Sequence, residues 1–592
     1  MLIDIIQEIK QLSVSPEHCL ISYQQEQCDS PTILALLQGL LTFKIGKDGK
    51  YTSSICDFFI LRNLLSKSNI SINFSYTDQA LDICKQYIVL RSEIDNYKNG
   101  KYNDQIITNL KSTPYFDQKS ATSFLLYREQ GINACSVGIG KTLSALSAFN
   151  LLSTQKKIST GVIFVTNNGK LTWKNEIIKH TNYSYKIVRN GTEKVMEDID
   201  GFMQDLLVVH YDCLLSELVV GALCALPVNF VVLDEAHVFR NMNAKRSEAI
   251  HAIMSSWNPR YRYALTGTPV AERPIEVYSI LKILNPLIVP AKTRFENYFC
   301  TKILIKPRGR RHKIPIIKGY KNLEQLKYMV DMWTYRKTHD DVEGFPDTML
   351  SINKIELGDD QRRVYDKIKE ETYKEIAADP SKALNLKSII TKTLRLRQYL
   401  VHPFILGEGQ KSAKFEALDE LLAEILGDKK QKVIVWSSFR PALDMLVNKY
   451  AEGYGAALNA GIANGLTIEQ RTKNLENFIN PKSSCRVLAS ILDDELSASS
   501  NLGIARTAIY LDEPLSLLTL TQSRGRIQRR DAKGTSTLIV LNCEDTVDEW
   551  VRTLLEKKEK YVNQVVNPDE ELIQTDDFLR ALKGDKNCQR LS

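Results

Sequence analysis

The chain of 592 residues lacks several features that would place it in familiar protein classes. It has no run of about 18 apolar residues, so we do not expect it to cross a membrane. Its first residues mix acidic with apolar side chains and show no signal-peptide pattern. The eleven cysteines form no C-x-x-C pair, which argues against structural zinc and against a disulfide framework. We therefore expect a soluble intracellular protein, of the cytoplasm of a prokaryotic or virus-infected cell or of a nucleus, and not a secreted one.

Charge and composition restrict the function only weakly. The chain has 78 Lys and Arg against 70 Asp and Glu, a net charge of +8. This mild excess permits a polyanionic partner but does not demonstrate one. At 592 residues the chain is too long for one hydrophobic core, so several domains are expected.

Short apolar segments alternate with amphipathic helices from about residue 106 onward. Two series of such segments are typical of buried parallel strands. The first series lies at residues 161–166, 206–210, 230–233 and 263–265, and the second at 433–436, 486–489, 507–511 and 537–541. Consecutive series of this size predict an α/β fold with two doubly wound parallel-sheet lobes and a cleft between them.

These patterns give a division of the chain into four parts. We predict an accessory domain over residues 1–105, a first lobe over 106–350, a second lobe over 351–555 and a helical tail over 556–592. The first lobe carries a helical and basic insertion from about residue 290, and the second has a helical entry. Within the insertion, residues 306–313 (KPRGRRHK) form either a solvated loop or a phosphate contact.

The first chemical motif is VGIGKT at residues 137–142, placed before a predicted helix. Gly138 and Gly140 would let backbone N–H groups close around phosphates, and the helix N-terminus favours negative charge. Lys141 would reach the β- and γ-phosphates of ATP, and Thr142 would bind Mg²⁺. The full phosphate-loop pattern is not met, because Cys135 stands where its first glycine belongs.

The second motif, DEAH at residues 234–237, follows a buried apolar strand. Asp234 would hold Mg²⁺, and Glu235 would orient and deprotonate the attacking water. Neighbouring carboxylates at the end of a buried strand are costly without a metal or hydrogen bonds, which disfavours a purely structural role.

The third motif is QSRGRIQRR at residues 522–530, within the second series. If the lobes face each other, Arg526 and Arg529 could reach the γ-phosphate and stabilise the charge of the transition state. On its own, the run could equally be a solvated basic face.

In this order and spacing, the motifs resemble the Swi/Snf-type ATPases of helicase superfamily two. The likeness extends over roughly residues 112–560, with YFDQ at 115–118, LTWKNEI at 171–177, VVHY at 208–211, ALTGTP at 264–269, LRLRQ at 394–398 and VIVWSSF at 433–439. The resemblance implies two RecA-like lobes, ATP and Mg²⁺ as cofactors, and stepping along double-stranded or forked DNA. Contacts would be mostly to phosphates, so sequence preference should be weak.

The same resemblance assigns further roles by position. Gln118 would read adenine. Coupling of DNA binding to hydrolysis would involve His237, Thr266, Gly267, Thr268 and Gln522. Candidates for the DNA track or its support are Thr166, Trp173, Lys174, Tyr211, Ser437, Asn459 and Gly461, although Trp173 could as well be core packing.

Two features qualify the resemblance. Residues 298–300, 319–326, 332–337 and 340–342 look like the fork-remodelling, annealing-helicase branch, but its paired arginines are replaced by Arg336 and Lys337. The glycine-rich motif V of the family is SASSNL at residues 497–502. Serine there restricts the backbone that glycine leaves free.

Three functions remain open from the sequence. The leading hypothesis is a DNA-stimulated ATPase that translocates on duplex DNA and remodels DNA or protein–DNA complexes. The alternatives are a strand-separating DNA or RNA helicase and a weakly hydrolysing, nucleotide-gated DNA-binding scaffold. No candidate wedge for strand separation is evident, and the altered motif V is what motivates the scaffold.

Overall fold

The computed structural model describes residues 2–6, 20–23, 40–42, 44–45, 51–67, 75–76, 78–167, 169–267, 274–287, 289–305, 314–377, 386–409, 411–460, 465–492, 502–530 and 534–563. Predicted features at Thr268, Gly461, residues 306–313 and residues 497–501 lie outside this part of the chain. Within the described residues, no helix has both the length and the apolar character needed to cross a bilayer.

The strands, in chain order, are β1 (Leu2–Ile6), β2 (Leu20–Tyr23), β3 (Lys44–Ile45), β4 (Tyr51–Ser54), β5 (Ser75–Tyr76), β6 (Gln130–Asn133), β7 (Gly161–Val165), β8 (Tyr185–Ile187), β9 (Leu206–His210), β10 (Phe230–Asp234), β11 (Tyr261–Leu265), β12 (Cys300–Ile305), β13 (Ile314–Tyr320), β14 (Thr334–Tyr335), β15 (Thr348–Ile355), β16 (Val433–Ser437), β17 (Ala457–Asn459), β18 (Val487–Ile491), β19 (Thr507–Tyr510) and β20 (Ser536–Cys543).

The α-helices are α1 (Ile55–Lys67), α2 (Asp78–Lys98), α3 (Phe116–Arg128), α4 (Lys141–Thr154), α5 (Gly169–His180), α6 (Thr192–Asp200), α7 (Glu217–Cys224), α8 (Lys245–Trp257), α9 (Val277–Leu284), α10 (Lys292–Phe299), α11 (Leu323–Asp331), α12 (Asp359–Ala377), α13 (Leu386–Val401), α14 (Ala413–Ile425), α15 (Arg440–Tyr454), α16 (Ile468–Ile479), α17 (Leu517–Arg524) and α18 (Val547–Asn563).

The first lobe is built on a seven-stranded sheet in the order β14-β6-β11-β10-β7-β9-β8. Every pairing in it is parallel. Strands β7, β9 and β11 are buried along their whole length, which explains their mostly apolar sequences. The four strands predicted in this lobe are confirmed, and β6, β8 and β14 were too short or too polar to be recognised.

The second lobe contains a six-stranded sheet in the order β15-β20-β19-β16-β18-β17, again with parallel pairing throughout. Its four predicted strands are confirmed. Helix α14 buries Phe415, Leu418 and Leu422, as its apolar face predicts. The α/β class with two doubly wound, RecA-like lobes is therefore confirmed.

The region between the lobes contains strands as well as the predicted helices. Strands β12 and β13 form an antiparallel hairpin between α10 and α11. Strand β14 joins the first sheet and β15 joins the second, so residues 336–347, here called the connector, link the two lobes. The predicted boundary at residues 350 and 351 falls inside β15, and the division into domains stays a prediction.

The N-terminal segment has its own five-stranded sheet, in the order β3-β4-β2-β1-β5. Its helices nevertheless pack on the first lobe. Phe58 of α1 and Tyr87 and Ile94 of α2 belong to the same buried hydrophobic cluster as Phe299 and Leu326 of the first lobe. The Arg91 guanidinium also lies 4.6 Å from the ring centre of Tyr328. Helices α1 and α2 of the N-terminal segment therefore pack directly against the first lobe.

Candidate active site

The predicted phosphate-binding residues lie where the carboxyl ends of parallel strands meet, the usual ligand-binding edge of such sheets. Residues 134–140, here called the phosphate loop, connect β6 to α4. Gly138 and Gly140 have φ angles of 91° and 101°, a backbone that favours glycine. Lys141 starts α4, and its Nζ donates to the Cys135 carbonyl at 3.0 Å. Cys135 is not among the residues with positive φ, so its backbone conformation does not require glycine at this position.

Gln118 lies against the phosphate loop. Its Nε2 donates to the Ile139 carbonyl at 2.8 Å, and its Oε1 accepts from the Tyr115 N–H at 2.9 Å. A Cβ on Gly140 would come within 2.1 Å of the Gln118 Nε2, so this glycine also makes room for the amide. The side chain therefore ties the start of α3 to the loop, and its contact with adenine stays a prediction.

The two acidic residues of the DEAH motif stand at the carboxyl end of β10. Burial and the neighbouring charge of Glu235 raise the pKa of Asp234. Burial would also raise the pKa of Glu235, but the adjacent His237, whose Nδ1 lies 3.1 Å from Glu235 Oε2, lowers it. Lys141 favours the ionised form of both carboxylates. Two crowded negative charges beside one lysine make a place where a divalent cation would relieve repulsion.

Glu235 itself has an unusual backbone. Its φ and ψ angles of 48° and 51° place a non-glycine residue in the left-handed region, at a cost of about 1–2 kcal/mol. The chain turns sharply after β10 because of this conformation. Such strain persists where the surrounding structure fixes it, and it is common at active sites.

The arginine motif of the second lobe faces the phosphate loop across the cleft. A Cβ on Gly138 would lie 3.1 Å from the Gln528 carbonyl and 3.5 Å from Arg529 Nη1. A Cβ on Gly525 would lie 2.6 Å from Val137 Cβ. Gly138 and Gly525 therefore allow the two motifs to approach each other closely. A side chain at either position would crowd the opposite lobe.

Arg526 is buried, with 3% of its surface exposed. Burial and repulsion from Arg529 lower its pKa, while the charge of Glu235 opposes that shift. Its Nε makes no hydrogen bond within the described part of the chain. A buried guanidinium without a full set of partners is costly unless an anion is supplied from outside. Arg526 is thus suited to a phosphate between the lobes.

Arg530 makes lobe-to-lobe contacts that the sequence did not reveal. Its Nη2 lies 3.1 Å from Asp117 Oδ2 and donates to the Glu343 carbonyl at 2.8 Å. Its guanidinium also lies 4.2 Å from the ring centre of Tyr115. Since Asp117 and Tyr115 are at the start of α3, Arg530 joins the second lobe to the first and to the connector. The only sign of this role in the sequence was that another arginine directly follows Arg529.

We predict that Arg530→Met opens the cleft. The substitution would leave the nearly buried Asp117 carboxylate unpaired and weaken the closed arrangement by about 1–3 kcal/mol. Fluorescence energy transfer between dyes on the two lobes should report a longer mean separation. Arg506→Met, at an exposed position in the same lobe, is the matched control. Identical transfer efficiency in the two variants would contradict this role of Arg530.

His339 of the connector is a second contact that the sequence did not indicate. Its Nε2 lies 2.8 Å from the Val137 carbonyl, and the Ser136 N–H donates to the Lys337 carbonyl at 2.9 Å. Burial lowers the pKa of His339, and the nearby Lys141 and Arg529 lower it further. The connector therefore runs along the phosphate loop before entering the second lobe.

The predicted coupling residues are partly in place. Thr266 is buried, and its N–H donates to the Asn133 carbonyl at 3.1 Å. A Cβ on Gly267 would lie 3.7 Å from Lys141 Nζ, so this glycine adjoins the phosphate loop. Gln522 is half-buried in α17. The N–H of Leu502, the last residue of motif V, donates to the Arg526 carbonyl at 3.2 Å.

Most of the residues predicted for the DNA track turn inward. Ser437 is buried and donates to Asp512 Oδ1 at 2.6 Å. Asn459 is buried too, with its Nδ2 2.7 Å from Ser490 Oγ and its Oδ1 2.8 Å from Arg471 Nε. These contacts suit a supporting role, and direct contact with DNA stays a prediction for both.

In the first lobe the predicted DNA residues divide into two kinds. Lys174 is exposed on α5, and Thr166 is half-buried, its Oγ1 accepting from the Gly169 N–H at 3.2 Å. Trp173 and Tyr211 are only 1% and 3% exposed. They contact Asp234 rather than the surface. Their side chains are therefore available to the acidic site and not to an external strand.

The site fits a nucleotide with its Mg²⁺ ion. Glycines with positive φ, Lys141 and the incompletely partnered Arg526 suit phosphate groups. The hydroxyl of Thr142 and the carboxylate of Asp234 would hold Mg²⁺, which commonly takes few protein oxygens together with phosphates and water. No cluster of three or more metal-ligating side chains occurs among the described residues.

Comparison with known proteins covers the part of the site that the first lobe supplies. Residues 117–405 match the SNF2-related domain. A Mycoplasma genitalium protein named as an ATP-dependent helicase is 22% identical, covering 95% of this chain and 55% of its own. The Arabidopsis thaliana ISWI chromatin-remodeling complex ATPase CHR11 is 23% identical, covering 72% and 40%. The chain spans about half the length of the curated relatives it matches.

Among solved structures, the Sulfolobus solfataricus SWI2/SNF2 ATPase core in complex with double-stranded DNA aligns with 80% of this chain and 97% of its own. The identity is 19% and the TM-score 0.36.

Proposed function

We propose that the chain is an ATP-driven motor that translocates along double-stranded DNA, since residues 117–405 match the SNF2-related domain. It would remodel DNA or protein–DNA complexes without processive separation of the strands. The observation that carries the proposal is the approach of Arg529 and Gly525 to the phosphate loop. ATP bound there would be contacted by both lobes, so hydrolysis would depend on their closure.

The proposed division of roles follows from where the side chains stand. Lys141 neutralises the β- and γ-phosphates, and Thr142 and Asp234 hold Mg²⁺. Glu235, with its depressed pKa, is ionised and able to orient and deprotonate water. Arg526 and Arg529 stabilise the charge that develops on the transferred phosphoryl group. Each role is a proposal that a single substitution can test.

Double-stranded DNA is the proposed substrate for two reasons. Relatives are named as a helicase and as a chromatin-remodeling ATPase. In this chain, the exposed Lys174 and the half-buried Thr166 lie beyond the carboxyl end of β7, on the same sheet edge as the phosphate loop. Assignment to the annealing-helicase branch stays a prediction.

The first experiment is steady-state ATP hydrolysis without nucleic acid and with single-stranded DNA, duplex DNA, forked DNA or RNA. We expect duplex or forked DNA to stimulate turnover most. A preference for single strands or RNA would favour a strand-separating helicase instead. Negligible turnover in all five conditions, with ATP still bound, would favour the nucleotide-gated scaffold.

We also predict that binding of duplex DNA weakens as salt increases, because phosphate contacts release counterions. Replacing the exposed Lys174 with alanine should reduce the slope of log affinity against log salt by about 1. Fluorescence anisotropy of a labelled duplex measures this slope. Lys179→Ala, also exposed on α5, is the control. Equal slopes for the two variants would remove Lys174 from the DNA track.

A further inference from the structure

Two buried aromatic side chains hold Asp234 from different directions. The Trp173 indole N–H donates to Asp234 Oδ2 at 2.8 Å. The Tyr211 hydroxyl donates to the main-chain carbonyl of the same residue. Together with the Glu235 N–H, 3.1 Å from Asp234 Oδ1, these bonds fix both the backbone and the plane of the carboxylate. Asp234 therefore has no freedom to reorient unless these neighbours move.

Both aromatic residues belong to elements that also reach the surface. Helix α5 buries Trp173 while it exposes its neighbour Lys174, since adjacent helical residues point about 100° apart. Tyr211 opens the short helix Tyr211–Leu215, whose last side chain is 53% exposed. Each element thus has one side toward solvent and one side bonded to Asp234.

We propose that Trp173 and Tyr211 are positioning residues that transmit contact with DNA at the surface of α5 and residues 211–215 to the metal-holding carboxylate of Asp234. The part of this inference that concerns DNA rests on the proposed function, whereas the positioning of Asp234 does not. A small displacement of α5 moves the indole, and the hydrogen bond carries that movement to Oδ2. The carboxylate then holds Mg²⁺ and its nucleotide better or worse according to whether DNA is bound.

Ordinary core packing is the competing explanation, because a buried indole needs some acceptor. Trp257 illustrates it: its Nε1 donates to the Leu223 carbonyl at 2.7 Å, and it too packs against the core of the first lobe. A packing role predicts that loss of the indole N–H has the same effect at both tryptophans. A positioning role predicts that only Trp173 affects the metal.

The first test measures metal binding rather than turnover. Electron paramagnetic resonance would follow Mn²⁺ bound with a non-hydrolysable ATP analogue to the full chain. Trp173→Phe and Tyr211→Phe should weaken Mn²⁺ binding by about 10- to 100-fold, the usual effect of losing a partner of a metal ligand. Trp257→Phe should leave it unchanged. Wild-type Mn²⁺ affinity in both the Trp173 and Tyr211 variants would overturn the inference.

A near-isosteric variant protects the test against misfolding. Replacing Trp173 with 3-benzothienylalanine keeps the bicyclic ring and removes only the N–H donor. We expect it to weaken Mn²⁺ binding as Trp173→Phe does. If this variant binds Mn²⁺ normally, the effect of the phenylalanine belongs to packing, and Trp173 is not a positioning residue.

The second test separates this inference from the proposed function. In the wild type, duplex DNA should stimulate hydrolysis and change the affinity for Mn²⁺. In the Trp173 variants, DNA should bind with unchanged affinity but should cause little stimulation and little change in Mn²⁺ affinity. Undiminished responses in these variants would overturn the transmission while leaving the motor intact. Absence of stimulation in the wild type would overturn the motor and the transmission together, and the Mn²⁺ affinities alone would then decide the positioning.

Discussion

Replacing Glu235 with glutamine should reduce ATP turnover by about 10²- to 10⁴-fold, the usual contribution of a general base, while ATP still binds. The amide keeps the shape of the side chain but cannot accept a proton from water. It also removes one of the two crowded charges beside Lys141, so nucleotide affinity should be retained or increased. Single-turnover hydrolysis and equilibrium binding of a fluorescent ATP analogue measure the two quantities separately.

Glu248→Gln is the matched control, because Glu248 is an exposed glutamate of the same lobe. It should hydrolyse ATP at the wild-type rate. Substantial turnover in Glu235→Gln would mean that another group activates the water. Loss of nucleotide binding in that variant would instead mean that Glu235 supports the pocket.

The Arg526→Ala variant should lose about 10³-fold or more in the rate of hydrolysis, the range measured when an arginine finger is supplied or removed. The reason is its position: it is buried, it interacts with Glu235, and its Nε has no hydrogen-bond partner among the described residues. Arg526→Lys should restore little, because an ammonium lacks the planar fork of donors. ATP binding by the first lobe should change far less than turnover.

Arg524→Ala provides the comparison within the same motif. Arg524 lies at the end of α17, where its Nη1 is 3.7 Å from Glu559 Oε1. Its removal should leave hydrolysis nearly unchanged. Equal losses in the Arg524 and Arg526 variants would show that charge in general, rather than one guanidinium across the cleft, is needed.

The sequence predicted the parts of the fold that local patterns encode. Buried parallel strands have continuous apolar sequences, so β7, β9, β10 and β11 were found, as were the motifs at their carboxyl ends. Strands β6 and β14 were missed because QGIN and TY have no such pattern. Their pairing depends on the rest of the sheet, which a local pattern does not contain.

The orientation of side chains was harder to predict than their position. Trp173 and Lys174 are adjacent, and the sequence made both candidates for the DNA track or its support, with core packing as the alternative for Trp173. Only the packing of α5 distinguishes them, since it buries one against Asp234 and exposes the other. Arg530 and His339 were missed for a related reason: their contacts join parts of the chain separated by hundreds of residues.

The contacts of the connector restrict how the two lobes can move relative to each other. It is twelve residues long between two strands fixed in separate sheets. Lys337 and His339 are bonded to the phosphate loop, and the Glu343 carbonyl is bonded to Arg530. Only residues 340–342 of the connector lie between these two contacts. They are too few to act as a flexible linker between the lobes. While these contacts hold, we expect the lobes to separate by rotation about residues 340–342, next to the phosphate loop. In the proposed motor, the distance from these residues to bound DNA would then set the step length.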